Sequence, residues 1–509
     1  MLIQLWVGFL PICASYPKAN IWIIPSVESP QVYRNYAQTS KVHLEMARGE
    51  VEHIQLVFPS KVNEEYRFTF DRNLKGIQIS ARELKKMNGY YDALVPFKNQ
   101  LKCTDTLTAV WITVQCPSRV PVGKYHQTIK IEGSKHFTIQ LDYNVHHTTI
   151  PLKSSIPITV GVENRCVAEG LNDKEADKER QRWVDFVLSY RMTPVFGTQI
   201  TPERWQYEHS FSPWAWNDKR SIRLLNDRRY SCYMLPFFTL SENELASLLC
   251  NIQKKGKLKE SLFYIWDEPA YMEDYEQIKQ KVNIIRKYAS DARILTTFFC
   301  GPRNGPRKGD LYAVFDYLKH HIHVATISLA PCKGNEEEVQ HIRYKVPEGI
   351  DWWSYVCWQP GGNEPNFLLQ MKGIQQRAIM WRTWKNGSQG FLYWNCNIYH
   401  KRNPFTYITD MPHGDGILIY PGDILGRKGP IASARLERWR DGAEEMELLR
   451  LVEKNYSKEK ADTLLNIVYS SPLSFIEKAH NIPFFRKELL DQLDKTIPID
   501  YKLRITDFI

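Results

Sequence analysis

The stretch Ser261-Leu262-Phe263-Tyr264-Ile265-Trp266, followed at once by Asp267-Glu268-Pro269, decides how this chain folds. A serine and five apolar or aromatic residues, closed by an acidic pair and a proline, have the length and composition of a buried strand. In a barrel of parallel strands the reacting groups sit at the C-terminal strand ends. An acidic pair at such a tip therefore predicts chemistry there. Taken alone, the same pair would serve equally well as a loop start that caps the next helix.

Working outward, the chain after Pro151 alternates strand and helix. Strands are predicted at Ile156–Val162, Met192–Gly197, Tyr233–Phe238, Ser261–Trp266, Arg293–Phe299, Ile322–Ser328, Asp351–Val356 and Gly390–Asn395. Helical faces lie between them. Trp183, Phe186, Val187 and Tyr190 fall on one face of a helix, as do Tyr275, Ile278, Val282 and Ile285. Leu311, Val314, Phe315 and Leu318 form a further face, and Ser241-x-x-Glu244 is a capping box ahead of Leu245, Leu248, Leu249 and Ile252. Eight strands alternating with helices predict an α/β chain built on a TIM-like (β/α)8 barrel over residues 151–428, with Asp267-Glu268 at the end of its fourth strand. Residues 198–230 show no clean helical period. Upstream, the alternation of Phe137, Ile139, Leu141, Tyr143 and Val145 with polar residues has the period of a half-buried strand. Short strands separated by Pro and Gly turns predict an N-terminal β-sandwich over 16–150. Residues 429–509 are charged and helical, and are expected to pack on the barrel.

The chain has 509 residues, 43% of them hydrophobic and 24% charged, the composition of a folded globular protein. The net charge of +10 is spread out, with no block of like charge and no nucleic-acid motif, so nucleic acid is not an expected partner. The supply of 15 Trp and 27 Tyr suits sugar binding, because the apolar face of a pyranose packs on aromatic rings. Ten cysteines include no Cys-x-x-Cys pair, and the histidines show no two-His ligand spacing; neither a metal nor a cofactor is expected. Met1–Ser15 is apolar and ends in small residues, which reads as a signal segment and a secreted, periplasmic or lumenal location. It is imperfect, because no Lys or Arg precedes it and Pro11 interrupts it. No other apolar run is long enough to span a bilayer, so membrane insertion is not expected. Asn386-Gly387-Ser388 and Asn455-Tyr456-Ser457 fit the glycosylation pattern.

Glycoside hydrolysis normally uses two carboxylates flanking the scissile bond. Strands seven and eight end in Tyr355-Val356-Cys357-Trp358-Gln359-Pro360 and Tyr393-Trp394-Asn395-Cys396-Asn397, neither with a carboxylate; the nearest is Glu364. An adjacent Asp-Glu without a distant partner fits substrate assistance, in which the sugar's own 2-acetamido oxygen attacks the anomeric carbon. Asp267 would then orient the acetamido N–H, and Glu268 would protonate the leaving oxygen and later activate water. Both residues must lie where the strand breaks into loop, since neighbouring side chains of an ideal strand face opposite ways.

The pattern resembles glycoside hydrolase family 123, the β-N-acetylgalactosaminidases, and the wider set of domains sharing their catalytic core. The similar stretches are Ala47-Arg48-Gly49-Glu50 with Gln55-Leu56-Val57, the turn Val120-Pro121-Val122-Gly123-Lys124-Tyr125, the pair Asp267-Glu268-Pro269, and Gly390-Phe391-Leu392-Tyr393-Trp394-Asn395. Most specific is the block Gly414-Asp415-Gly416-Ile417-Leu418-Ile419-Tyr420-Pro421-Gly422, then Ser433-Ala434-Arg435-Leu436-Glu437 and Arg440-Asp441-Gly442. The resemblance implies a sandwich, a barrel, and retaining hydrolysis of terminal β-linked N-acetylgalactosamine in a glycan or glycoconjugate, with Asp267 as stabiliser and Glu268 as acid/base. The sugar remains open between this, a β-N-acetylglucosaminide and a non-acetamido glycoside. A non-catalytic glycan-binding protein is the alternative from another class.

Further candidates for substrate binding are Tyr355 and Trp394, as walls for the acetamido group, together with Trp353, Trp358 and Asn395. Each has a plainer reading. Aromatics at strand ends also fill barrel cores, one of Trp353 and Trp358 is expected to face the helices, and Asn395 also suits strand termination. Asp415 reads as a turn residue, and Arg435, Arg440 and Asp441 as a structural ion-pair cluster.

Overall fold

The computed structural model describes residues 20–71, 74–201, 206–399 and 414–496. The segment read as a leader, Met1–Ser15, lies outside them. Ten strands come first: β1 Trp22–Pro25, β2 Lys41–Arg48, β3 Glu50–Pro59, β4 Glu65–Phe70, β5 Gln78–Met87, β6 Tyr90–Pro96, β7 Gln100–Lys102, β8 Leu107–Cys116, β9 Gly123–Glu132 and β10 His136–Thr149. They form two sheets, ordered β1-β3-β8-β5-β6 and β2-β10-β9-β4-β7. Pairing is antiparallel throughout except between β2 and β10. Period-two alternation explains how β3 serves two layers at once. Its Ile54, Leu56 and Phe58 join the core between the sheets. His53, Gln55 and Val57 face the other way, towards the rest of the molecule.

The central sheet has nine strands: β11 Ile158–Glu163, β12 Thr193–Thr201, β13 Gln206–Ser210, β14 Tyr233–Met234, β15 Ser261–Trp266, β16 Arg293–Phe298, β17 Val324–Ser328, β18 Asp351–Val356 and β19 Gly390–Tyr393. From β14 to β19 each strand pairs parallel with the next, and β19 pairs parallel with β11, which pairs parallel with β12. Only β13 runs antiparallel, beside β12. The Phe211 N–H just beyond β13 donates to Met234 O of β14 at 2.6 Å, so the sheet is a nearly closed, barrel-like ring.

Helices cover its outside: α1 Asn164–Ala168 and α2 Asp173–Ser189 after β11, α3 Lys219–Leu224 after β13, and then α4 Glu242–Lys254, α5 Met272–Tyr288, α6 Ala313–Leu318, α7 Glu336–Tyr344 and α8 Gly373–Lys385 after β14 to β18 in turn. The expected capping box opens α4, with Glu244 accepting from the Ser241 N–H at 2.8 Å. Leu245, Leu248, Leu249 and Ile252 are buried beneath it. Residues 198–230 lack a helical period because they hold β13 and the single short helix α3. The strand expected at Tyr233–Phe238 stops at Met234, since Pro236 has no N–H to give a ladder.

A short hairpin, β20 Ile419–Pro421 and β21 Pro430–Ala432, leads into α9 Ala434–Asn455, α10 Lys458–Leu465 and α11 Ile482–Asp494. The helix α9 is wedged between barrel and sandwich and is buried on nearly every side, charges included. Most of those charges meet an opposite charge, while Arg438 donates to Ser26 O and Gln376 Oε1 and Glu447 accepts from Ser154 and Ser155. Arg377 meets Asp441 at 3.0 Å, Arg435 meets Asp92 at 2.9 Å, Arg191 meets Glu444 at 3.0 Å, and Arg486 meets Glu50 and Glu52 at 2.8 and 2.9 Å. Arg440 pairs with Glu437 one turn back. Gly442 is needed where α9 crosses α8, because a Cβ there would stand 2.3 Å from Arg377 O. Among the described residues no cysteine is bridged to another, and no helix is long and apolar enough to cross a membrane. Asn386 of the first glycosylation triplet is fully buried.

Candidate active site

The interior of the ring is filled by side chains that alternate along each strand: Val195, Met234, Leu262, Tyr264, Leu295, Val324, Trp353, Tyr355 and Leu392. Phe263 and Ile265, between the inward residues of β15, pack outward against the helices. Strict alternation would turn Trp266 inward and Asp267 outward. The register with β16 slips between Tyr264 and Trp266. That irregularity sends Trp266 out among the helices, where Lys281 lies 5.8 Å from its ring. Asp267 accordingly comes round to the mouth. Glu268 then takes φ +45°, a left-handed backbone uncommon for a residue with a Cβ, and its carboxyl also turns towards the mouth, where the Tyr355 hydroxyl donates to Oε1. A bulge and one left-handed residue thus aim two adjacent carboxylates the same way.

Their surroundings differ. Asp267 Oδ1 accepts from the Tyr264 hydroxyl at 2.8 Å and from Thr297 Oγ1 at 2.6 Å. Thr297, on β16, also accepts from the Glu268 N–H at 3.0 Å, so one hydroxyl fixes both positions. Burial of its carboxyl pushes the Glu268 pKa up to about 7, with the Asp267 charge adding to the rise; the Tyr355 hydrogen bond and Arg303 only partly offset it. Although Glu268 presents surface to solvent at the rim, its carboxyl end is packed among Tyr355, Asp267 and the strand tips, and that packing governs its protonation.

Beside Asp267 lies a pocket of about 520 Å³ including its open mouth, lined among others by Gly161, Gly197, Tyr207, His209, Tyr264, Trp394 and Asn395. Gly161 is required in its lining, since a Cβ there would stand 1.8 Å from Trp394 O. The indole N–H of Trp394 donates to Asp415 Oδ1 at 3.0 Å, and the Tyr393 hydroxyl donates to the same oxygen at 3.1 Å. Burial raises the Asp415 pKa to about 6. Read from the sequence as a turn residue, Asp415 thus also holds the pocket's indole in place.

The remaining candidates are dispersed. Asn395 lines the pocket, while its Oδ1 accepts from the Asn397 N–H at 2.9 Å and so ends the strand. Trp353 is 1% exposed and sits inside the ring against Gly390, whose Cβ would meet it at 2.2 Å. Trp358 is 41% exposed on the rim, stacked on Phe299 at 6.4 Å. Neither faces the helices, contrary to expectation; Trp352 does, because strand parity turns that residue outward. Glu364 is buried against Arg382 at 2.8 Å. Sequence reasoning missed Thr297, Tyr264, Tyr207 and His209. Only the alternation of Tyr207 and His209 around Glu208 carried a signal for the last two. Among the described residues no group of His, Cys, Asp and Glu is arranged to hold a metal.

A model of the glycoside hydrolase 123 catalytic domain matches residues 178–452. The chain belongs to glycoside hydrolase family 123. It is a glycosidase by that membership. A family 123 glycoside hydrolase from Clostridium perfringens, studied for the details of glycolipid glycan hydrolysis, has the same fold at a TM-score of 0.63 and 14% identity, over 97% of this chain and 100% of that one. An FMN-binding β-glucuronidase from Facaelibacterium prausnitzii L2-6 (9% identity, 74% of this chain and 58% of that one) and a GH2 β-galacturonidase from Eisenbergiella tayi (9%, 78% and 89%) reach TM-scores of only 0.31, too low to bear on the fold. No curated protein matches the sequence. Family 123 therefore rests on the catalytic-domain match, with the Clostridium enzyme agreeing on the fold.

Proposed function

We propose that this family 123 enzyme is a retaining exo-hexosaminidase that removes terminal β-linked N-acetylgalactosamine from a glycan or glycoconjugate, with the 2-acetamido group as nucleophile. The observation that carries the reading is the unequal setting of Asp267 and Glu268. Asp267 is held through Oδ1 by two hydroxyl donors, which fixes its orientation and leaves Oδ2 to accept the acetamido N–H. That contact orients the acetamido oxygen towards the anomeric carbon and balances the charge of the oxazolinium intermediate. Glu268, with its pKa near 7, keeps a proton for the leaving oxygen at working pH and then, as carboxylate, takes one from water. Asp267 is the sole carboxylate lining the pocket among the described residues, which supports a substrate that supplies its own nucleophile. In this reading Trp394, which lines the pocket, is a wall for the acetamido group, and Tyr355, whose hydroxyl donates to Glu268, sits beside the acid.

We also read the central ring as a (β/α)8 barrel opened between its second and third parallel strands by β13. A secreted, periplasmic or lumenal location is proposed from Met1–Ser15 alone. The test is hydrolysis of nitrophenyl β-N-acetylgalactosaminide, β-N-acetylglucosaminide and plain β-galactoside by wild type and Glu268→Gln. Cleavage of the first, lost by about 10²–10⁴-fold in the variant, is the expected result. Cleavage of the plain galactoside would sink substrate assistance, because that sugar has no acetamido group.

A further inference from the structure

The antiparallel strand β13 brings to the barrel mouth two side chains that no step above uses. Its alternation puts Tyr207 and His209 into the pocket lining and Glu208 on the opposite side. Glu208 is a clamp. It accepts from the Phe237 N–H at 2.8 Å and from the N–H and hydroxyl of Thr239 at 2.7 and 2.9 Å, tying β13 to the loop after β14. The His209 imidazole lies flat on Tyr264, with ring centroids 4.2 Å apart and planes within 8°. Tyr264 in turn donates to Asp267. The histidine is therefore held in position without any hydrogen bond from its ring nitrogens to the described residues.

We infer that His209 is a sugar-recognition residue, whose ring edge pairs with one hydroxyl of the terminal sugar in the pocket beside Asp267. This rests on the glycosidase reading of that pocket. A neutral imidazole offers one donor and one acceptor, and a sugar hydroxyl both gives and takes a hydrogen bond. Burial lowers the His209 pKa to about 3, so the ring stays neutral through the working range. The stack on Tyr264 limits the ring to movement within its own plane, which gives it selectivity among hydroxyls at different ring positions. In the same lining, Asp267 spends Oδ1 on Tyr264 and Thr297 and keeps Oδ2 for the acetamido N–H, and Asn395 Oδ1 is taken by the Asn397 N–H.

The test compares wild type, His209→Phe and His209→Ala on nitrophenyl β-N-acetylgalactosaminide and on its 3-, 4- and 6-deoxy analogues. His209→Phe keeps a ring on Tyr264 and removes the hydrogen bond. It is expected to lower kcat/KM by about 10–100-fold, mainly through KM, with the pH profile of kcat unchanged. One deoxy analogue that is poor for wild type should be no worse than the parent sugar for His209→Phe. His209→Ala, which also frees Tyr264, should lower kcat in addition. Equal losses on every deoxy analogue in wild type and His209→Phe would overturn the assignment, as would a shifted pH profile in His209→Phe, the mark of a ring acting only through Tyr264. If wild type cleaves the plain galactoside instead, substrate assistance falls, and the same deoxy series on that sugar decides the role of His209. Cleavage of none of these sugars would overturn both.

Discussion

Removing the Tyr355 hydroxyl and removing the Asp267 charge are expected to move Glu268 in opposite directions. Tyr355 donates to the Glu268 carboxylate and lowers its pKa, whereas Asp267 raises it. In Tyr355→Phe the alkaline limb of kcat/KM should therefore shift to higher pH; in Asp267→Asn it should shift to lower pH, with kcat reduced by about 10²–10³-fold. Unmoved limbs in both variants would mean that another group sets the profile. The raised pKa also works against folding. A carboxyl easier to protonate in the folded chain takes away stability as pH rises from its ordinary value near 4 to about 7. Glu268→Gln should accordingly melt higher than wild type at pH 8, and no higher at pH 4. At this scale the sequence shows the acidic pair and the strand it ends, because a run of five apolar or aromatic residues and a proline are local signals. It hides Thr297 and the turning of Asp267, since both depend on the register with a neighbouring strand that no local pattern encodes.

Among the elements, α11 is clamped to the sandwich by a charge that lasts only part of the pH range. His146 on β10 sits between Glu45 on β2 at 2.7 Å and Asp494 on α11 at 2.9 Å. Burial alone would lower its pKa, but the hydrogen bonds to Asp494 and Glu45 outweigh it and push the value up to about 9. The stability it adds is complete below its ordinary pKa near 6.5 and is lost as pH rises through about 9. Urea midpoints at pH 6 and pH 9.5 should differ by more in wild type than in His146→Gln, by on the order of 2 kcal/mol. A difference no larger in wild type would show that the histidine is neutral in the folded chain. The crossing of α8 and α9 gives a sharper case: Gly442→Ala should cost about 1–3 kcal/mol, read from the same denaturation curves. The parallel strands and their helices are legible in the sequence because each carries its own period. β13 is not: it is five residues long, mostly polar, and exists because it fills the gap between β12 and β14.

For the whole molecule, the controlling feature is the ionic seam along α9. Arg486 of α11 meets Glu50 and Glu52 of the sandwich, Arg377 of α8 meets Asp441, and Arg435 meets Asp92 of the sandwich. Pairs buried this deeply are strongly destabilising to break, at about 3–5 kcal/mol, because a charge is left unmatched. Arg486→Met should lower stability by that amount while leaving kcat near wild type, and calorimetry should show sandwich and barrel melting in one transition. Two separated transitions in the wild-type enzyme would refute the coupling. The stretches around Glu50, Asp415, Arg435 and Asp441 that resemble family 123 lie in or beside this seam, so much of the family's signature here describes assembly. One arrangement reaches further. β13 carries neither Asp267, nor Glu268, nor Thr297, so the side chain proposed to read the sugar and the pair proposed to cut it sit on separate pieces of chain. If His209 reads the sugar as proposed, a change of side chain on that strand alters recognition and leaves the strand bearing the acidic pair as it was.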